Sequence, residues 1–271
     1  MKTFQLNSTT SIPALGLGTY KLRGQECVSA VVKALEIGYR HLDTADSYEN
    51  HREVAQGIKQ SGIKREELFI TTKVRRDDLH TQNLLDAAHR FLEELHTDYV
   101  DLLLIHWPNK AIPVGESLEA MEQLRSEKII RTIGVSNFTI RHIEEVLKTG
   151  IEVASNQVEF HPSLNQKELK NFCDQNKIVI TAYSPLARGY DLELPVIKDL
   201  SQKYGKTPSQ VILNWLVNKG LVAIPKSSNP QRLLENFQSL DWQIDPQDME
   251  LIDNINENHR AVTPVFAEFD Y

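Results

Sequence analysis

Two cysteines in 271 residues leave no disulfide framework, and neither Cys27 nor Cys173 belongs to a C-x-x-C pair. Both read as buried thiols of a reducing compartment. No stretch approaches the roughly 18 consecutive apolar residues of a membrane span, and the opening MKTFQLNSTTSIPALGLG holds no apolar run of signal-peptide length. The expectation is a cytoplasmic protein. Cations are in the minority: 30 Lys and Arg face 37 Asp and Glu, a formal charge of −7. A nucleic-acid backbone therefore finds no electrostatic footprint here. Glycine-rich linkers, charge blocks and low-complexity stretches are missing too, so residues 1–271 read as a single domain. No long exposed apolar segment stands out, and a monomer is expected. What is present is ordinary globular usage, with 41% hydrophobic and 25% charged residues, enough for a sizeable core.

A short apolar run followed by an amphipathic, charged stretch recurs along the chain. The runs are Pro13–Tyr20, Tyr39–Thr44, Leu68–Val74, Tyr99–Trp107, Thr132–Asn137, Ala154–Phe160, Ile178–Ser184 and Leu221–Lys226. Their typical spacing of about 25 to 30 residues is the length of one strand-plus-helix unit. YVDLLLIHW and IVITAY are continuously apolar, as strands buried on both faces must be. Between the runs, VSAVVKALEIG sets Val28, Val31, Val32 and Leu35 on one helical face with Gly38 as C-cap. LLDAAHRFLEELH repeats Leu84, Ala88, Phe91, Leu92 and Leu95 at the same period, and TPSQVILNWLVNKG opens on Thr207 and Pro208 and closes at Gly220. The longer gap after Ser184 predicts an additional helix around Leu194–Tyr204. GLGTYKLRG at Gly16–Gly24 lacks the third glycine of a dinucleotide fingerprint, so no Rossmann domain follows from it. Eight alternating units without that fingerprint favour an α/β fold of the closed (β/α)8, or TIM-barrel, type.

In such a barrel the active site is built at the C-terminal ends of the strands. The polar residues ending the runs are Asp43, Lys73, His106, Asn137, Gln157, Tyr183 or Ser184, and Lys226. An acid, a base, an imidazole and amides thus converge on one rim. Singly, each also has an ordinary reading. Asp43 serves equally as a cap or turn residue. Lys73, before Arg75, Arg76, Asp77 and Asp78, serves as a solvated lysine, although the end of an apolar run is a natural place to bury it beside Asp43. His106 serves as a satisfied core histidine, and Tyr48 as packing. Nine histidines raise a metal site, but H-E-x-x-H is absent and no pair has ligand spacing, so no metal is expected.

Five segments together resemble the aldo-keto reductases: GYRHLDTADSY (Gly38–Tyr48), the lysine of ITTKV, LLLIHWP (Leu102–Pro108), RTIGVSNF (Arg131–Phe138) and IPKSSNPQRLLEN (Ile224–Asn236). The resemblance covers nearly the whole chain. Short connections after Pro108 and Ser184 look most like the compact bacterial members, such as the 2,5-diketo-D-gluconate reductases. It implies NADPH-dependent reduction of aldehydes and ketones by direct hydride transfer, with Asp43, Tyr48, Lys73 and His106 as the catalytic set. Tyr48 would be the general acid, Lys73 would lower its pKa, Asp43 would hold the lysine, and His106 would orient the substrate oxygen. By the same resemblance Ser136, Asn137 and Gln157 meet the nicotinamide carboxamide and Tyr183 stacks on its ring. Thr19 lies near the cofactor, and Ser184 and Leu186 meet the pyrophosphate. Lys226, Ser227, Ser228, Arg232, Glu235 and Asn236 meet the adenosine end of NADP(H), and Tyr20 and Trp107 wall the substrate pocket. A small carbonyl compound such as methylglyoxal or a keto-sugar acid fits the bacterial likeness.

Two positions depart from the family pattern: His51 follows Asn50 where Glu is usual, and Ala55 stands at a glycine position. They put the packing of the helix after the second barrel strand in doubt. Two other function classes remain open at this point. One is a barrel lyase using Lys73 as a Schiff base; the other is a regulatory cofactor-binding module that has lost turnover.

Overall fold

An apolar run with no polar face cannot rest on the surface, so each of the eight becomes a strand covered on both sides. The computed structural model describes residues 2–271. A hairpin comes first, β1 (Thr3–Gln5) and β2 (Ser11–Pro13), followed by β3 (Leu17–Gly18), β4 (His41–Asp43), β5 (Phe69–Val74) and β6 (Val100–Ile105). The strands β7 (Ile130–Ser136), β8 (Ser155–Glu159), β9 (Val179–Tyr183) and β10 (Val222–Ala223) complete the set. From β3 to β10 every strand lies parallel to its predecessor in sequence order. A parallel bridge between Leu15 and Ala223 joins the two ends. It is reinforced by the Gly16 amide donating to Ala223 O at 2.9 Å and the Ala223 amide donating to Ala14 O at 2.9 Å. The sheet is thereby the expected (β/α)8 barrel.

The helices are α1 (Gly24–Ile37), α2 (His51–Ser61), α3 (Thr81–Leu95), α4 (Val114–Ser126) and α5 (Ile140–Lys148). After them come α6 (Lys167–Gln175), α7 (Pro195–Tyr204), α8 (Pro208–Asn218), α9 (Pro230–Phe237) and α10 (Pro246–Asp253). The additional helix foreseen before the eighth barrel strand is α7. Thr207 caps α8 through a reciprocal pair with Gln210, with Pro208 in the first turn. Gly38 ends α1 at a φ of 125° with its amide on Ala34 O. No helix among the described residues is long and apolar enough to cross a membrane.

The apolar core has two compartments. The larger lies between the barrel and its ring of helices; the smaller fills the barrel with Phe69, Leu102, Leu104, Ala154, Val222 and Ile224, closed below by Leu6 and Ile12. The last two belong to the β1–β2 hairpin and the turn within it, an element that the period of the sequence does not announce. It plugs the floor of the barrel with Leu6 and Ile12.

The doubt about the helix after β4 is corrected by its packing. Ala55 is buried, and His51 is buried with Nδ1 2.9 Å from Glu94 Oε2 and Nε2 2.8 Å from Thr72 Oγ1. The close approach of α2 to α1 falls instead at Gly57, where an added Cβ would sit 2.6 Å from Val31 Cβ. Gly57→Ala should therefore overpack this contact and cost about 1–3 kcal/mol. Urea unfolding checks it: a midpoint equal to wild type would place the tight contact elsewhere.

Candidate active site

Parallel strands present their last residues on one rim, and the ladder sets which side chains become neighbours. Asp43 ends β4, Ser136 ends β7 and Tyr183 ends β9, while Lys73 stands one residue before the end of β5. His106 follows β6 directly, and Asn137 follows β7 with a left-handed φ of 65° that few non-glycine residues adopt. Tyr48 arrives on a single 3-10 turn, Asp46–Tyr48. Two exposed guanidiniums fix that turn: Arg75 and Arg90 reach the buried Asp46 carboxylate at 2.8 Å each. Buried Asn50 ties the following residues back, donating to Thr19 O and Leu22 O at 3.0 Å each.

These elements enclose a cleft of about 420 Å³ lined by Tyr20, Asp43, Tyr48, His106, Trp107, Ser136, Asn137, Gln157, Tyr183, Ser184 and Lys226. Lys73 lies beneath the cleft floor and is 0% exposed, which removes the surface-lysine reading. Its Nζ donates to Asp43 Oδ1 at 2.5 Å and to Thr44 O at 2.8 Å, and reaches Tyr48 Oη at 3.4 Å. Gln157 Nε2 donates to the second carboxylate oxygen of Asp43 at 2.7 Å. A buried ion pair offsets its desolvation only when its remaining lone pairs and protons are satisfied, and here they are. The Tyr48 ring sits 5.2 Å from Tyr20 and 5.8 Å from His106 between centroids.

The electrostatics correct one expectation. Burial pushes the Tyr48 hydroxyl well above the ordinary tyrosine value, and the Asp43 carboxylate adds to that. Lys73 was expected to pull it down. Burial also raises Asp43 and lowers Lys73, against the attraction between them. Burial is the leading cause and the Asp43 carboxylate the next, and the ammonium 3.4 Å away, itself held by Asp43 at 2.5 Å, does not outweigh them. Burial, then the charges of Lys73 and Arg75, hold His106 well below the ordinary histidine value. The imidazole is thus neutral at physiological pH, with one N–H to donate, and its Nδ1 lies 3.4 Å from Ser47 Oγ.

A belt of amides and hydroxyls continues from this floor around the rim. Tyr183 Oη donates to Asn137 Oδ1 at 2.7 Å, Asn137 Nδ2 donates to His106 O at 2.9 Å, and Ser136 Oγ donates to Gln157 O at 2.8 Å. Thr19 is buried, its hydroxyl on Asp43 O at 3.0 Å, so it supports the floor without lining the cleft. Lys226 and Arg232 are exposed after β10 and in the first turn of α9, and among the described residues neither forms an ion pair. Ser227 is turned to the backbone of Asn229, and Asn236 is buried; Leu186 and Ser228 lie in loops and Glu235 in the second turn of α9, and none of the three lines the cleft. Trp107 forms the opposite wall, edge-on to Phe266 and Phe269 at 5.4 and 5.8 Å.

Several wall residues escape the sequence reading: Ser47, Arg188, Val262, Pro264 and Phe266. The last three come from residues 254–271, which lie beyond the last helix and carry no helical or strand period to read.

The cleft can be compared with known proteins now that its geometry is set. The model of the "Aldo/keto reductase family" matches residues 14–257. A 9,11-endoperoxide prostaglandin H2 reductase of Trypanosoma cruzi is 43% identical over 260 residues, 94% of this chain and 92% of its own length. A glyoxal reductase of Bacillus subtilis is 43% identical over 261 residues, covering 96% of this chain and 94% of its own. Among solved structures, an aldo-keto reductase from a Medee basin deep-sea metagenome superposes with a TM-score of 0.94 at 36% identity, over 100% of both chains.

The Lys73–Asp43 pair generates a stability prediction. Lys73→Met leaves a buried carboxylate without its counter-charge, a change that costs about 3–5 kcal/mol. Asp43 is already raised by burial, and loss of the lysine raises it further. A raised carboxylate is protonated in the fold at low pH, so the deficit should be small below the unfolded carboxylate pKa and grow as pH climbs through the folded one. Urea titrations at acid and neutral pH read this directly. A deficit independent of pH, or one not relieved by adding Asp43→Asn, would show that the pair is not what the lysine supports.

Proposed function

The chain belongs to the aldo/keto reductase family, and on that premise we propose that it is an NADPH-dependent reductase of small aldehydes and ketones, with Tyr48 as general acid. The observation that carries the reading is the Tyr48 hydroxyl at the cleft floor, 3.4 Å from the Lys73 ammonium and beside a neutral His106. Glyoxal-type dicarbonyls, methylglyoxal among them, and keto-sugar acids are the substrate class we infer, on the strength of the glyoxal reductase relative and the polar floor.

The donor set fits a nicotinamide dinucleotide. Tyr183 offers a flat aromatic face next to the amides of Asn137 and Gln157, which match a carboxamide's need for both donors and acceptors. Ser136 completes that edge, and Ser184 with Leu186 opens toward the pyrophosphate. Lys226 and Arg232, with Ser227, Ser228, Glu235 and Asn236 around them, stand at the start of α9, where backbone amides and cations favour an anion. The bound cofactor supplies the hydride that goes to the carbonyl carbon. Everything else falls to the chain. His106 donates its one N–H to the substrate oxygen and orients it, while Trp107 and Tyr20 confine the rest of the molecule. Tyr48 passes its proton to that oxygen as charge develops there. A raised tyrosine can still do this, because an alkoxide is a far stronger base than a phenolate. The phenolate left behind faces the Lys73 ammonium, whose attraction for it opposes the upward push of burial; this is where the lysine's charge counts for catalysis. Lys73 itself has three oxygens around its nitrogen and no exposure, so a substrate carbonyl has no approach to it. That arrangement supports reduction over Schiff-base chemistry.

Oxidation of NADPH by methylglyoxal, followed at 340 nm, is the direct test; no turnover with any aldehyde or ketone would overturn the reading. Tyr48→Phe removes only the acid, so kcat should fall about 10²–10⁴-fold while cofactor affinity holds. Because the phenol is raised, the reduction rate of wild type should stay level from neutral into alkaline pH, without the fall that a tyrosine lowered toward neutrality would impose.

Cofactor choice rests on a different charge set. NADPH differs from NADH by one ribose phosphate, so Arg232→Ala or Lys226→Ala should weaken NADPH by about ten- to a hundredfold. NADH should hardly change. Fluorescence titration of both cofactors decides this, and equal losses for the two would remove the phosphate from Lys226 and Arg232.

A further inference from the structure

One cluster of buried charge takes no part in the chemistry above. Glu159, at the end of β8, His161 two residues on, and Asp191 in the 3-10 segment Ala187–Glu193 are all fully buried. His161 Nε2 lies 2.9 Å from Glu159 Oε1, and Nδ1 lies 3.1 Å from Asp191 Oδ2. A ring with a carboxylate at each nitrogen is satisfied only with both nitrogens protonated. Burial acts to lower this imidazole, but the hydrogen bonds to Asp191 and Glu159 outweigh it and raise it. One imidazolium between two carboxylates leaves one negative charge over, and backbone amides answer it. Ala261 N donates to Glu159 Oε1 at 2.6 Å, Val262 N to Glu159 Oε2 at 3.0 Å, and Ser163 N to Asp191 Oδ2 at 3.2 Å.

Two of those amides belong to the segment that walls the cleft. Val262, Pro264 and Phe266 line it, and residues 254–271 have no helix or strand to hold them. Apolar packing of this stretch is confined to its later part, where Phe266 and Phe269 meet Trp107, while Val265 is fully exposed and Phe266 is 47% exposed. Its other polar anchors flank the wall residues: His259 N donates to Ser163 O at 3.0 Å before them, and after them Glu268 reaches Arg76 at 3.1 Å and accepts from Lys110 N at 3.2 Å. Asp191 meanwhile fixes the segment carrying Arg188, a second wall residue. We propose that the Glu159–His161–Asp191 cluster is the positioning device of the substrate wall, holding residues 261–266 over the cleft by receiving the Ala261 and Val262 amides. The inference rests on the reductase reading only in calling that wall a substrate wall.

Every partner of Glu159 is a donor, so only a carboxylate serves all three; the amide of a glutamine would turn an N–H₂ toward an N–H. Two variants attack the same contact from opposite sides. Glu159→Gln breaks it within the cluster, while Ala261→Pro removes one amide from the tail and leaves the buried charges intact, so the test survives if the first variant fails to fold. In the full-length protein without substrate, both should speed hydrogen exchange of the amides in 257–269 by about tenfold or more, the loss of one charge-assisted hydrogen bond. With methylglyoxal and the larger phenylglyoxal, KM should rise by a similar factor, more for the larger aldehyde, with kcat within about twofold of wild type, the pattern of lost uniform binding. Exchange at wild-type rate in both variants overturns the proposal. So does faster exchange with unchanged KM, or a fall in kcat at constant KM. If wild type turns over no carbonyl compound, the reductase reading falls, and the exchange rates alone decide whether the cluster holds the segment.

Discussion

The buried pair of Lys73 and Asp43 is the constraint around which the rim is arranged. Placing two charges where water cannot reach costs several kcal/mol per ion before any partner is counted. The barrel meets that cost with geometry: β4 and β5 are neighbours, Asp43 is in register with Thr71, and Lys73 lies two residues further along the same face. The pair then draws in what it needs. Thr44 gives a carbonyl to the ammonium, and Gln157, from four strands away, gives an amide to the carboxylate. Gln157 reaches the belt of Ser136, Asn137 and Tyr183 through Ser136 on its own carbonyl. The cleft floor is one hydrogen-bonded unit whose charged members are Lys73 and Asp43.

That unit explains why the two groups above it are both neutral at rest. A lone lysine would pull a nearby phenol down; here burial, with the Asp43 carboxylate beside it, outweighs the ammonium and Tyr48 is raised. The same burial, with the cations Lys73 and Arg75 added, suppresses the charge on His106. The resting site thus holds two proton donors and no exposed ion on its floor, a setting in which negative charge developing on a carbonyl oxygen would be the strongest field in the cleft. Preorganisation here means donors held in place before the charge exists.

Much of this was legible in the sequence, for a physical reason. Strands of a parallel barrel are covered on both faces, so FITTKV and VDLLLI show as unbroken apolar runs, and the polar residue that ends each run is the one on the rim. The listing of run ends by itself found Asp43, Lys73, His106, Asn137, Gln157, Tyr183 and Lys226. What it missed obeys no period. The β1–β2 hairpin is only three residues to a strand, too short for alternation to declare itself. The wall from Val262 to Phe266 is irregular backbone, and Ser47 lies inside a 3-10 turn. The sign of the shift at Tyr48 was missed for another reason: residue types give charges, but not the depth of burial that pushes the hydroxyl up.

The molecule therefore carries two buried charge clusters with opposite surroundings. At the cleft floor, cation and anion balance, the surplus valences go to side chains, and the group left facing solvent is a hydroxyl. Behind the wall, two carboxylates outnumber one imidazolium, and the surplus goes to backbone amides of a segment with no regular structure. A carboxylate that receives backbone amides fixes the path of the chain and not merely a side chain, since each bond removes freedom at a residue whose φ and ψ are otherwise unconstrained. Irregular backbone cannot be held by a ladder, and the packing of Phe266 and Phe269 on Trp107 begins only after Val265. Charge-assisted bonds to a buried acid give the residues before it one position. The wall of the cleft can then vary in sequence, as loops do, while its path is set from inside the barrel by residues that never touch a ligand.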